Sequence, residues 1–437
     1  MLKANDKAVL VKAIGRWSLA ALVINSIIGS GIFGLPSIAA EMLGRKSTIA
    51  VLLAGAAVGV IMACYAEVAS QFTQAGGPYL YARVAFGRLA GIEMGWLLWL
   101  AQLAAPAANA NLFVVYLGQF WRDANRPLPR FVILTVLVGA LALVNYRGVN
   151  AGTKLSNVFT AAKLVPLVLV IAAAALYVSR HAIAPGSQAA TTSGGWLKAM
   201  LLLFFAYGGF ETALTPMSEA KNPRRDTVFA LFTALIVCTV LYTLIQWAVV
   251  STVTDPAHSE RPLADVAQLA FGRAGAAFIA GGGLICFYGY LSAKILAVPR
   301  VTLALAEEKD FPSWFGRLHP QFHTPYVSIL IFSVLVWMLA LFGNFAWNVT
   351  LSAVARLFYY GAGCAALPVL RRKQPSAAWF RLPAGNFFAA LGVLICIALI
   401  TKVDLGGSLI LVAVIAAGFV NWLAVRRTRT LSDSTPL

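Results

Sequence analysis

Charge is scarce in this 437-residue chain: Asp, Glu, Lys and Arg together make up 11% of it, where soluble domains carry about a quarter. With 60% hydrophobic residues and a mean hydropathy of +0.80, water cannot be its main solvent. Histidine is rarer still. His181, His258, His319 and His323 fall in connections without ligand spacing, and Cys64, Cys238, Cys286, Cys364 and Cys396 sit in apolar stretches with no CxxC or histidine partner. No metal site, disulfide framework or cofactor is expected from them. Without a nucleophile and base or a metal cluster, an embedded enzyme is disfavoured. The N-terminus, MLKANDKAVLVKAIGRW, lacks the apolar core and small-residue cleavage site of a signal peptide, so the first span is expected to be retained. No stretch offers room for a soluble output domain of a sensor, and no basic domain stands apart to bind nucleic acid.

What the chain has instead is apolar runs of spanning length, roughly 17 to 25 residues. They lie near 17–40, 47–70, 92–120, 130–147, 155–179, 196–217, 227–252, 274–305, 326–343, 345–370, 385–402 and 406–425. About twelve transmembrane helices in an all-α integral membrane protein are expected. The net charge of +18 sorts by side: 21 Lys and Arg lie on one face of this topology and 10 on the other, with Lys163, Lys294 and Arg356 inside spans. The positive-inside rule puts both termini in the cytoplasm of a cell (inner) membrane protein, with the excess charge facing anionic lipid of the bilayer.

Two spans are interrupted near mid-membrane, the first by Ile27-Ile28-Gly29-Ser30-Gly31-Ile32-Phe33 and the sixth by Ala206-Tyr207-Gly208-Gly209-Phe210-Glu211. Gly29 follows Trp17, and Gly208 follows Trp196, by twelve residues, roughly 18 Å of helix from an interfacial Trp. The first span enters from the cytoplasm and the sixth from outside, an inverted relation typical of secondary transporters built as a five-plus-five repeat. The organisation expected is a tail over 1–16, a first repeat over 17–179, a second over 196–371, two further spans over 385–425 and a tail over 426–437. Spans three and eight, also five apart, are both unusually long. Close helix packing is the plainer explanation for glycines in spans, and suffices for Gly55 and Gly59. It does not require breaks at corresponding positions in two halves.

A helix interrupted in hydrocarbon frees N–H groups on one half and C=O groups on the other, tolerated only where they line a cavity or meet a ligand. The N–H ends suit a carboxylate and the carbonyls an ammonium or metal cation, so a zwitterion satisfies both. Glu211, just past the second break, reads as a gate or proton relay, or as a structural hydrogen-bond partner. Lys163 reads as a proton-releasing group, a fixed ammonium in place of sodium, or a lysine snorkelling to the surface. Lys294 and Arg356 should face the bundle interior, with partners not legible. Glu67 fits an ion pair at a helix end as well as transport chemistry. Phe205 and Tyr207 fit closure over a substrate as well as ordinary packing.

These residues resemble the amino acid/polyamine/organocation permease superfamily over nearly the whole chain. Ile28-Gly29-Ser30-Gly31-Ile32-Phe33 is similar to its first-span signature, and Cys64-Tyr65-Ala66-Glu67, Gly76-Gly77-Pro78-Tyr79, Phe204 to Glu211, and Glu219-Ala220-Lys221-Asn222-Pro223-Arg224-Arg225 follow in the family's order. Arg300 through Pro312 resembles its end of span eight, without the usual Asp-Gly. The resemblance implies a LeuT-type fold with a substrate carboxylate on the backbone around Ser30 and Gly31, and an ammonium on carbonyls of Ile27, Phe205, Ala206 and Gly208. It implies gating by Phe205, pH sensing at Glu211, and Lys163 in the place of sodium. The candidate substrate site is thus Ile27, Gly29, Ser30, Gly31, Phe205, Ala206, Tyr207, Gly208 and Gly209, with Glu211, Lys163, Phe205 and Lys294 for coupling or gating. Pro106 and Lys294 depart from the family pattern. The function implied is sodium-independent amino-acid transport, by proton symport or exchange, through alternating access. A carrier of amines or polyamines and a non-transporting membrane sensor are the alternatives. Substrate side chain, stoichiometry and oligomeric state are not encoded legibly.

Overall fold

The computed structural model describes residues 15–72, 76–148, 153–181, 193–214 and 220–432. Most of the tail over 1–16, Glu219 of the 219–225 motif and the last residues 433–437 lie outside them. The chain is a succession of helices joined by short connections. The first interrupted span is α1 (Arg16–Ile27) and α2 (Gly31–Leu43), and α3 (Ser47–Ala69) follows after a single 3-10 turn. Next come α4 (Gly77–Phe86), α5 (Arg88–Leu117), α6 (Pro127–Arg147) and α7 (Thr153–Val178). The second interrupted span is α8 (Ser193–Tyr207) and α9 (Phe210–Ala213). Then follow α10 (Pro223–Thr252), α11 (Pro262–Glu307), α12 (Tyr326–Phe342), α13 (Phe345–Lys373), α14 (Gly385–Ile400) and α15 (Leu405–Ser432).

Among the described residues, seven helical stretches are long and apolar enough to cross a bilayer, and four shorter apolar helices join them. Large apolar side chains stand outward on the peripheral helices, Val136 of α6 at 63% exposure and Val412 of α15 at 64%. That inside-out surface suits lipid as solvent. Two departures from the expected spans have local causes. α4 is a ten-residue helix in the second connection, too short to register as a span, with Pro78 in its first turn. α11 begins at Pro262, and the left-handed backbone at Gly272 (φ 68°) sets a short leading helix at an angle to the long span after it.

The interior is formed by the α1/α2 pair, α3, α5, α8, α10, α11 and α13, which pack directly on one another. Small residues allow this. Gly31 lies so close to Ala206 that a Cβ there would be 2.9 Å from the Ala206 Cα. The two breaks therefore touch each other at the core of the bundle.

At the end of the bundle where α4 lies, a second polar cluster ties four elements together. Asp310, fully buried, pairs with Arg88 at 2.7 Å and with Arg83 at 3.1 Å, and accepts from the hydroxyl of Tyr79. Arg83 also reaches Glu308 at 2.7 Å, and Asn421 of α15 donates to the Asp310 carbonyl at 2.7 Å. Burial, and next the bond to Asp310, hold the Tyr79 phenol far above its usual range, so it remains a donor. Nearby, Glu67 of α3 takes a bidentate pair from Arg371, 2.7 Å on each oxygen, and the Leu382 N–H at 2.7 Å. Of its two sequence readings, the ion pair at a helix end is the one the geometry displays.

Candidate functional site at the two helix breaks

Helix α1 stops because Ile28 turns extended (φ −72°, ψ 105°), and α2 restarts two residues on with Ser30 as its cap. The first-turn N–H groups of Gly31 and Ile32 have no carbonyl one turn back to accept them. In the second break Gly209 has φ 115°, left-handed backbone that favours glycine, and a Cβ there would collide with the Ser26 carbonyl. Gly208 is needed for a different reason: a Cβ would run into the guanidinium of Arg356. Tyr242 of α10 links the two interruptions, its hydroxyl 3.0 Å from the Ala206 carbonyl and 3.3 Å from that of Ile27.

Between the breaks is a small cavity lined by Ile27, Gly29, Ser30, Gly31, Asn109, Phe205, Ala206, Gly208, Tyr290 and Arg356. Its volume, about 10 Å³, holds roughly one water. Seven of the nine residues expected at the substrate site line it. Tyr207 does not: its hydroxyl donates to the Val51 carbonyl at 3.0 Å, which turns the ring onto α3. Gly209 stands behind the wall and donates its N–H to Glu211 at 3.0 Å.

The polar groups are unequally committed. The Ser30 N–H, expected for a substrate carboxylate, is taken by the Asn109 side chain at 3.1 Å, while the Ser30 hydroxyl is buried with no protein partner. Asn109 is held in turn by donating to the Ala105 carbonyl at 2.8 Å. Asn109 and Tyr290 were not read from the sequence, since scattered polar residues in a long, mostly apolar helix give no clear facing signal.

Glu211 is not isolated. Arg356 pairs with it at 2.8 Å, and the hydroxyls of Tyr359 and Tyr360 donate to it at 2.9 and 2.8 Å. The pair is sealed, with side-chain exposures of 2% for Arg356 and 0% for Glu211. Geometry thus supplies the partner that a buried charge requires. Lys163 does not snorkel: it is 4% exposed, with its Nζ 3.4 Å from the Ile28 carbonyl and 3.5 Å from that of Asn25. Lys294 is also buried and lies over the Tyr290 ring, 5.2 Å from its centroid, with Lys163 at 6.0 Å from the same ring.

Residues 14–423 match the amino acid permease family. The chain belongs to this family. The permease is 28% identical to the branched-chain amino acid permease BcaP of Bacillus subtilis, over 90% of its own length and 88% of that protein's. It is 28% identical to the methylthioribose transporter of the same organism, over 87% and 86% of the two chains. With the serine/threonine exchanger SteT, also of Bacillus subtilis, it shares 27% identity over 77% and 78%. The family and these relatives are transporters and not enzymes. The permease is accordingly a multi-pass membrane protein of a transport family.

Proposed function

We propose that the permease carries amino acids across a cell membrane without sodium, coupled to protons or by exchange, through alternating access around the two breaks. One observation carries the sodium-independent part: the Lys163 ammonium stands beside the Asn25 and Ile28 carbonyls freed where α1 ends. An ammonium at those carbonyls does the work a metal cation would otherwise do. The names of BcaP and SteT support the class of solute, and that of SteT supports exchange. In this reading the chain has about twelve spans with both termini cytoplasmic. The two breaks correspond under a LeuT-type inverted repeat of residues 17–179 and 196–371, followed by spans over 385–425.

The carboxylate of the solute would meet the free N–H groups of Gly31 and Ile32 and the Ser30 hydroxyl. Its ammonium would meet the remaining lone pairs of the Ile27, Phe205, Ala206 and Gly208 carbonyls. Phe205 closes over it. Uptake of radiolabelled amino acids into proteoliposomes tests this, with an imposed proton gradient, a sodium gradient, or unlabelled amino acid inside. Uptake driven by protons or by internal amino acid, and indifferent to sodium, is expected; dependence on sodium would sink the role given to Lys163.

A further inference from the structure

An ionised carboxylate accepts about four hydrogen bonds, and all of Glu211's are in use. Oε1 takes Arg356 and Tyr359, and Oε2 takes Tyr360 and the Gly209 N–H. Glu211 also stands behind the wall and does not line the cavity. The acid expected near the substrate therefore has no acceptor site left for a cation, and its charge acts only through space from behind the wall. Arg356 is in the opposite position. It lines the cavity, its guanidinium packed on Gly208 and 6.0 Å from the Phe205 ring centroid. Of its five N–H donors, one reaches Glu211 at 2.8 Å and one Ser352 at 3.3 Å, and the hydroxyls of Tyr290 and Tyr360 also lie within its hydrogen-bonding reach. Lys163 and Lys294 flank the Tyr290 wall. A guanidinium and two buried lysines thus surround a site whose one nearby carboxylate, among the described residues, has its acceptor sites filled. A zwitterion brings its own compensating charges to the two breaks; a further cation on its side chain would face the Arg356 end of the Arg356–Glu211 pair in a buried site, nearer the guanidinium than the carboxylate behind it, where like charges repel.

We propose that Arg356 sets the charge specificity of the cavity, admitting amino acids with neutral or anionic side chains and rejecting lysine, arginine and polyamines. The solute class rests on the amino-acid reading above; the sign of the selection rests on Arg356 and Glu211.

The test is thermal stabilisation of the full chain in detergent by a series of similar length: norleucine, glutamine, glutamate, lysine and putrescine. The best neutral or anionic member should bind at least about tenfold more tightly than lysine or putrescine. Arg356→Gln leaves the Glu211 anion facing Gly208, so lysine should gain at least about tenfold relative to norleucine; the double variant E211Q/R356Q should lose discrimination without reversing it. If Arg356→Gln does not fold, the series on the native chain still decides. Lysine or putrescine binding the native chain as well as the neutral acids overturns the proposal, as does an unchanged order in a folded Arg356→Gln or a series in which nothing binds and methylthioribose is also inert. Methylthioribose binding where no amino acid does would remove the amino-acid reading and leave the charge assignment standing. Putrescine binding alone would remove both.

Discussion

Lys163 holds its ammonium 3.4 Å from the carbonyl oxygen of Ile28, the residue at which α1 gives way to the first break. Two helices that are distant in sequence, α1 and α7, are joined there by a buried amine. These contacts are long for hydrogen bonds, so the amine acts mainly by its place beside the freed carbonyls, and Lys163→Ala should lower transport at least about tenfold. Proteoliposome uptake of the best amino-acid substrate measures it. Sodium should not stimulate the native chain. Full activity in the variant would show that the break carbonyls need no ammonium.

Glu211 and Arg356 share one fate because each is the other's counter-charge in the buried interior. Glu211→Gln leaves a buried guanidinium without its counter-charge, a loss of about 3–5 kcal/mol. Replacing both, as in E211Q/R356M, removes the orphan charge and should recover most of that stability. Thermal unfolding in detergent reads both effects. A single variant as stable as the native chain would mean the pair is not sealed as described.

The two breaks were legible because glycine pairs in apolar spans are conspicuous. What surrounds the breaks was not legible. Asn109, Tyr242 and Tyr290 lie in α5, α10 and α11, helices apolar on nearly every side, so periodicity cannot say which way one polar group points. Arg356 was visible as an intramembrane cation, but its partner is 145 positions away and was set by tertiary packing. The place of Tyr207 was hidden for the same reason: its hydroxyl is satisfied on α3, and it is not among the residues lining the cavity. The short helix α4 carried no spanning signal at all.

Gly31 is the point where the two breaks touch, and its missing side chain is what allows the contact. An added methyl would sit 2.9 Å from the Ala206 Cα and 3.1 Å from its Cβ. Overpacking of this kind costs about 1–3 kcal/mol, small beside the whole bundle. Gly31→Ala should therefore fold and reach the membrane yet fail to close over a solute. Expression with monodisperse elution, together with uptake below about a tenth of the native rate, is the expected pair of results. Native uptake would show that α2 and α8 need not approach this closely during the cycle.

The Asp310 cluster makes an ordered prediction because its members differ in access to water. Asp310 is fully buried, while the side chains of Arg88 and Arg83 are 24% and 34% exposed. Asp310→Asn removes the charge that both arginines and Tyr79 address, but the arginines can recover hydration, which holds the loss to about 1–3 kcal/mol. Arg88→Ala removes the 2.7 Å pair and the bond to the Lys309 carbonyl, leaving Arg83 and Tyr79 on the acid. Arg83→Ala should cost least, about 1 kcal/mol or less, because screening weakens its pairs and Arg88 remains. Thermal unfolding of the three variants should rank them Asp310→Asn, then Arg88→Ala, then Arg83→Ala. An Arg83→Ala loss equal to that of Asp310→Asn would mean that the exposed arginine, and not the buried acid, holds α4, α5 and the end of α11 together.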